Sequence, residues 1–538
     1  MIPSSIFSKK TSKKKVNFIK LFKNERRTNK PYKNEKTFNN TEISKDITSN
    51  INRIKSEIGS CDDLRISYFD LGNLKCVFLY FKCLSDKSSI DIFSLDLKYQ
   101  STQLKNFKNV DELVRSLSAI RSLNKGSDFE SLCEELMTGN TVLLINGHKE
   151  YYSIATSNNK GRAIEEPSSQ TTIRGPKDGF TETISSNKFL IKKRIRNKAL
   201  KTETMHIGSV TKTEVCLMYI DNIAKSEIVA ELKERLGKLE IDSVLEGAYL
   251  EELIKDDPYS IFPTFLSTEK PDTVTAGLLE GKVAILTDGT PYVLIAPALM
   301  VEFFQASEDY YHHFIVSSFM RFSRFIAMLL TLFVPAFFIA VTTFHHEMIP
   351  TTLLMRFAEQ REGVPFPTFF EALLMEFTFE ILREAGIRMP RAIGPAISIV
   401  GALVLGQAAV DAGIISAAMV IVVSLTAICS FAIPNYEMSN AIRTVRFALM
   451  ILSAVFGLYG MFMGALFLLI HLCKMKSITV PYLTPFAPWI KGQNKDTIFR
   501  FPLWKMKYRP VAVSGNSSLR NKGEKIAGKN NKTKQELR

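Results

Sequence analysis

The sequence predicts an α+β soluble N-terminal region of two related subdomains, followed by an all-α multi-pass membrane domain. Three observations predict it. Long apolar runs cluster after residue 320 of 538, while the mean hydropathy of the whole chain is near neutral. One order of strand, helix, helix and hairpin occurs twice before residue 300. The positive charge sits at the two ends, where no core pattern exists.

The ends come first. Residues 1–40 carry twelve Lys/Arg and two acidic residues, and residues 491–538 carry thirteen and three. Each end is therefore +10 within a chain of +15, and the middle is acidic. Residues 1–45 and 477–538 read as solvated basic tails, suited to anionic membrane lipid. Nucleic acid is disfavoured as a partner, because no module that reads RNA or DNA stands behind them. The seven cysteines are odd in number and show no C-x-x-C spacing. That argues against zinc and against a secreted disulfide scaffold. No apolar segment follows the basic start, so no signal peptide is expected.

The first subdomain, 46–165, opens on an amphipathic helical pattern near Ile51. Cys76 to Phe81 is a short apolar run suited to a buried strand. Lys87 to Asp96 reads as a polar helix. Phe129 to Met137 reads as a second helix, closed by Gly139. Thr141 to Asn146 and Tyr151 to Ala155 form a hairpin across Gly147. The second subdomain, 166–300, repeats this order. Val215 to Ile220 is the strand. Ala224 to Leu239 is the helix, with Ile228, Val229, Leu232 and Leu236 on one face. Asp272 to Glu280 is the second helix. Val283 to Asp288 and Pro291 to Ala296 are a hairpin across an Asp-Gly turn. The offset between halves is about 139 at the strand and about 141 at the hairpin, which pairs Tyr80 with Tyr219 and Ile145 with Leu286. The polar stretch 157–178 joins them.

The membrane domain is expected over 301–476. Leu299 to Tyr311 reads as a helix that leads into the aromatic and charged cluster Asp309–His313, a composition suited to a membrane interface. Four runs without Asp, Glu, Lys or Arg follow, at 325–344, 392–410, 412–436 and 447–473. Each is long enough to span a hydrocarbon core of about 30 Å. Arg321, Arg324, Lys474, Lys476 and both tails place the two termini on the cytoplasmic side, which four spans allow. Arg443 and Arg446 fall on the wrong side for that bias. Gly394, Gly401 and Gly406 in the second span, and Gly457, Gly460 and Gly464 in the fourth, let helices pack closely.

Between the first two spans lies an amphipathic helix, 366–384. It is apolar around most of its girth yet carries Glu376, Glu380, Arg383 and Glu384. Such a helix is costly in lipid, so it should lie at the interface, face protein or line water. Glu371, Glu376 and Glu380, with Gln407 of the next span, are candidates for an ion path, because carboxylates beside a wet cavity attract cations. The competing reading pairs Glu380 and Glu384 with Arg383, Arg388 or Arg391 and makes them anchors. His345, His346 and Glu347 could suggest a metal, but adjacent histidines point different ways on most backbones, and an interfacial loop is preferred. There is no P-loop, Gly-x-Ser-x-Gly or His-Glu-x-x-His. No catalytic residue, metal or cofactor is expected, and the chain is not read as an enzyme.

Particular stretches carry a resemblance. They include RGPKDGFTETI (174–184), DDPYSIFPTF (256–265), EGKVAILTDGTPYVLI (280–295), EALLMEFTFEILREAGIRMPRAIG (371–394), SFAIPNYEMSNAIRTVRF (430–447) and VPYLTP (480–485). Over about residues 50–490 the chain resembles the A subunit of the GerA family of spore germination receptors. The resemblance implies a place in the inner membrane of a bacterial endospore, where the cytoplasmic side expected for both termini is the core side. It implies a transporter-like B subunit and a lipoprotein C subunit as partners, and a homo-oligomer that forms or gates an ion channel, releasing ions when nutrient binds. A non-conducting signalling scaffold and a transporter component are the alternatives. A transporter usually needs many spans built from repeats, and here the repeat is in the soluble region.

Overall fold

The computed structural model describes residues 42–59, 61–71, 74–103, 123–157, 166–167, 170, 172–388, 406–515 and 519–520. Helix α1 (Ile47–Ile58) starts where the Asp46 carboxylate caps the N–H groups of Thr48 and Ser49. It buries Ile47, Ile51, Ile54 and Ile58, a stripe at helical spacing. Next come β1 (Leu64–Leu71), β2 (Leu74–Phe81), α2 (Lys87–Gln103), β3 (Leu123–Gly126), α3 (Phe129–Met137), β4 (Thr141–Ile145) and β5 (Tyr151–Ile154). The second set is α4 (Ile184–Arg194), β6 (Leu200–Ile207), β7 (Thr213–Ile220), α5 (Ser226–Gly237), α6 (Gly247–Ile254), β8 (Leu266–Thr268), α7 (Pro271–Glu280), β9 (Val283–Thr287) and β10 (Val293–Ala296).

Each set forms one five-stranded antiparallel sheet, and the strand orders correspond: β1-β2-β4-β5-β3 and β6-β7-β9-β10-β8. The register also fixes which residues correspond. Val77, Leu79, Val142 and Leu144 share a core with α3. Cys216, Met218, Ala284 and Leu286 share one with α7. Tyr80 therefore matches Tyr219, but Leu286 matches Leu144, and Ile145 matches Thr287. The ladders agree: Cys76 faces Ile145, and Val215 faces Thr287. The expected pairing of Ile145 with Leu286 was one residue out, which on a pleated strand is the opposite face of the sheet.

The two sets meet through buried charges. Asp63, just before β1, accepts from Lys192 of α4 at 2.7 Å, and Lys188 of the same helix lies 3.9 Å from it. Burial pushes the Asp63 carboxyl up, but Lys192 and Lys188 outweigh it and hold it below the usual range.

Leu299 to Tyr311 is not one helix. It makes two 3-10 turns, Met300–Phe304 and Ser307–Tyr310. Glu302 accepts from the N–H of Leu299, and Asp309 from that of Ala306, so each carboxylate closes its own turn. The helices that follow are α8 (Phe314–Thr343), α9 (Thr351–Arg361), α10 (Thr368–Arg388), α11 (Gly406–Asp411), α12 (Ala417–Phe431) and α13 (Tyr436–Lys474). Among the described residues, α8 and α13 are long and apolar enough to cross a membrane, and the 15-residue α12 is a shorter apolar helix. The expected span 392–410 lies mostly outside the described residues, with Gly394 and Gly401. Gly406 begins α11 and lies near Val420.

The expected single span 447–473 is also different. At Gly457 the backbone takes φ 62° and ψ −145°, and the chain turns back on itself. A methyl placed on Gly464 would lie 2.6 Å from Leu449 Cδ2, and one on Gly460 would overlap the carbonyl of Leu452. Residues 15 apart meet in this way only when a helix folds into a hairpin, since a straight helix would part them by about 22 Å. The arms are 436–456 and 458–474, and Gly460 and Gly464 line the seam between them. The bend lies against Phe344 and His345, at the far end of α8. The end of α13 meets the soluble region, where His471 Nε2 lies 3.1 Å from Ser260 Oγ.

The chain after 476 is not simply a tail. Strands β11 (Lys476–Ser477) and β12 (Val480–Pro481) form a small ladder. Ile478, Val480 and Val513 complete the core beneath α5 and α6, and Tyr482 joins that of the helix bundle. The residues from 476 to 515 thus return to close the second subdomain, which basic composition concealed.

Two outcomes follow. Gly457→Ala places a side chain in a region of φ and ψ that only glycine enters readily, and against His345. It should cost about 1–3 kcal/mol, read as a lower melting temperature in detergent. Because the Asp63 carboxyl is depressed, its contribution is present above about pH 4 and is lost as pH falls through its folded value. Protection of the α1 and α4 amides, measured against their intrinsic exchange rates at each pH, should therefore fall in acid. Asp63→Asn, which strands Lys192, should bring that loss of protection to neutral pH.

Candidate functional site: the charged helix of the bundle

The site is built on α10. Pro367 precedes it, and its carbonyl accepts from the N–H groups of Phe370 and Glu371. Proline suits a helix start because its fixed φ is already helical and it has no N–H to leave unpaired. The helix packs against α8, α12 and α13. One side carries exposed Phe366, Phe370, Leu374, Phe377 and Ile381 from the helix and its entry. Glu371, Ala372 and Glu376 point inward.

Glu371 is buried beside the start of α12. Its Oε2 accepts from Ser416 N at 3.0 Å and Ser416 Oγ at 2.8 Å, so a carboxylate from one helix caps the positive end of another. Arg361, at the end of α9, lies 3.4 Å from its other oxygen. Glu376 is fully buried and pairs with the fully buried Arg446 at 2.6 Å. Glu380, one turn on, accepts from Arg383 at 2.7 Å and from Arg443 at 3.1 Å, and lies 3.5 Å from Arg446. Asn440 holds Arg443 from its own helix. Three carboxylates thus face four guanidiniums, and the cluster carries one net positive charge. Among the described residues, Arg446 Nε and Nη1 have no hydrogen-bond acceptor.

The structure brings Glu376 and Glu380 together and sets Glu371 apart at the α12 cap. Gln407 does not join them: it is exposed and bonds Asp411 of its own helix at 2.9 Å. Glu384 pairs with Arg388 at the surface. Arg391 lies outside the described residues. Sequence reasoning missed Arg443 and Arg446 as partners and treated them as a topological difficulty. Their signal was present: two arginines three apart on a helix face, opposite two glutamates four apart on another. No group of His, Cys, Asp or Glu among the described residues could hold a metal ion. His345 instead packs against the Gly457 bend.

The comparisons bear on this bundle and its soluble region together. The family described as Bacillus/Clostridium GerA spore germination protein matches residues 52–512. The chain belongs to the GerA family. It is 44% identical to spore germination protein KA of Bacillus subtilis (strain 168), over 89% of this chain and 88% of that one. It is 35% identical to spore germination protein GerLA of Bacillus cereus, over 90% of this chain and 99% of that one. A crystal structure of the N-terminal domain of the A subunit of the Bacillus megaterium spore germinant receptor GerK3 is 32% identical, with a TM-score of 0.39, covering 48% of this chain and 97% of that one. The GerA match runs through α10 and both arms of α13, so the charged cluster lies within the family's extent.

Removing one partner of a buried ion pair strands the other. Glu376→Gln should therefore cost about 3–5 kcal/mol, whereas an apolar pair at both positions, Glu376→Met with Arg446→Met, should recover most of that loss. Thermal melting of both variants in detergent checks this.

Proposed function

We propose that this chain is the A subunit of a nutrient-responsive spore germination receptor, and that its helix bundle forms or gates an ion path in the inner membrane of the endospore. The family supports the first part. The observation that carries the second is Glu380, partly exposed and shared among Arg383, Arg443 and Arg446. Charges this deep in an apolar bundle are costly and are generally kept where they do something. In the paired arrangement the carboxylates are neutralised and cannot hold a passing cation. Conduction requires α10 to part from α13, which would free Glu376 and Glu380 toward the path. In this reading the paired arrangement is the closed state. Repetition of the carboxylates around a homo-oligomer would favour cations.

The start of α8 and the end of α13 both meet the soluble region, through Arg321–Asp496 and His471–Ser260. That supports an even number of crossings, with both termini on one side of the membrane, and the basic tails favour the core side. A transporter-like B subunit and a lipoprotein C subunit are the partners in this reading. A non-conducting scaffold is the second reading. It is favoured by the fact that all three carboxylates are already held by arginines.

Ion flux into liposomes holding the purified chain separates the two. Glu380→Gln is the variant of choice, because the Glu380 side chain is 23% exposed and the glutamine oxygen can still accept from Arg383 and Arg443. Potassium permeability relative to chloride should fall severalfold while melting stays near that of the parent. An unchanged ratio, or no flux from either protein, leaves the scaffold.

A further inference from the structure

The segment after β12 contributes only the Arg321–Asp496 contact to the proposed function. Residues 486–509 carry six Lys/Arg and one acidic residue, and they hold both tryptophans of the chain, Trp489 and Trp504. Pro488 and Pro502 interrupt it, so it cannot form a long helix. It crosses the first turns of α8 in a series of turns and bends, with one short 3-10 helix at Leu503–Lys505. Ser318 Oγ donates to the carbonyl of Arg500 at 2.9 Å and accepts from its N–H at 3.1 Å. The Arg500 guanidinium donates to the carbonyl of His312 at 2.9 Å. Asp496 is held by Arg321 at 2.6 Å and by Tyr310 at 2.8 Å.

This clamp leaves the apolar side chains outside. Trp489 is 70% exposed, Phe499 51%, Leu503 52% and Trp504 46%. Their surface continues that of α8: Phe322 stacks on Phe499 at 5.7 Å, and Phe314 meets Trp504 edge-on at 5.9 Å. Phe319 beside them is 72% exposed. Lys491, Lys495, Lys505 and Lys507 are exposed along the same segment, and none pairs with a carboxylate among the described residues. A contiguous apolar patch is unfavourable in water. Aromatic rings rimmed by lysines, placed where a spanning helix begins, match the chemistry of a headgroup layer, apolar below and anionic above.

We propose that residues 486–508 form an interfacial strap that docks on anionic phospholipid around the start of α8, on the side of the soluble domain. The strap fixes the depth of α8, and through the clamp at Asp496 and Arg500 it ties that depth to the soluble region. This holds whether or not the bundle conducts.

The chain carries its own probe, since every tryptophan lies in the strap. The full chain is placed in nanodiscs of phosphatidylcholine and phosphatidylglycerol whose acyl chains are brominated either near the headgroup or near the chain end. Tryptophan emission should be blue-shifted, and bromine near the headgroup should quench it more strongly. Trp489→Phe and Trp504→Phe each leave one reporter, and both reporters should behave alike. Emission typical of water with quenching by aqueous iodide overturns the proposal. So does blue-shifted emission that bromolipid does not quench, because protein would then cover the patch. With the four lysines changed to glutamine, phosphatidylglycerol enrichment in the lipid retained after detergent extraction should drop severalfold. Unchanged enrichment would overturn the electrostatic part.

Discussion

The buried pair of Glu376 and Arg446 is the constraint on which the helix bundle depends. Taking both charges out of water costs several kcal/mol each, and only a close pairing offsets it. That requirement fixes the register of α10 against the first arm of α13. A slide of one turn would leave two ions unpaired in an apolar interior. Glu380 extends the clamp to Arg443, and Glu371 extends it to the α12 cap. Three helices are therefore positioned by one row of carboxylates. Apolar packing alone, which is tolerant of small slides, would not set their register.

A second charged node does the same work at the junction with the soluble region. Asp309 is fully buried between Arg321 and Arg324, and Arg321 also holds Asp496. The node joins the 3-10 turns, α8 and the returning C-terminal segment. Ser477 adds a further tie, donating to the carbonyl of Thr264 at 2.6 Å and accepting from the N–H of Ala298 at 3.0 Å. The second subdomain is thus tied to both the start of α8 and the end of α13. The first subdomain joins it through Asp63 and Lys192.

The internal repeat was legible because strand and helix periods are local properties of sequence. Phe129–Met137 and Thr141–Ile145 are read from their own residues alone. The one-residue error at Ile145 and Leu286 arose because both strands are apolar on both faces, with every residue buried. An alternating strand reveals its face, and a continuously apolar one does not. The hairpin in α13 was hidden for a related reason: an apolar run has the same composition whether it is straight or folded back, and the turn depends on one glycine at positive φ.

By itself, the sequence determined the two-part plan, the duplicated α+β unit, the acidic character of α10 and the family, since each is written in local pattern or in runs of particular residues. The tertiary structure decided which charge meets which. Arg446 lies 70 residues after Glu376, and no spacing rule connects positions on separate helices. It also decided that residues after 476 close a core, because Val513 is buried only by the shape of the surface it returns to. Charge type and periodicity are carried along the chain; pairing and closure exist only once distant segments share a volume that excludes water.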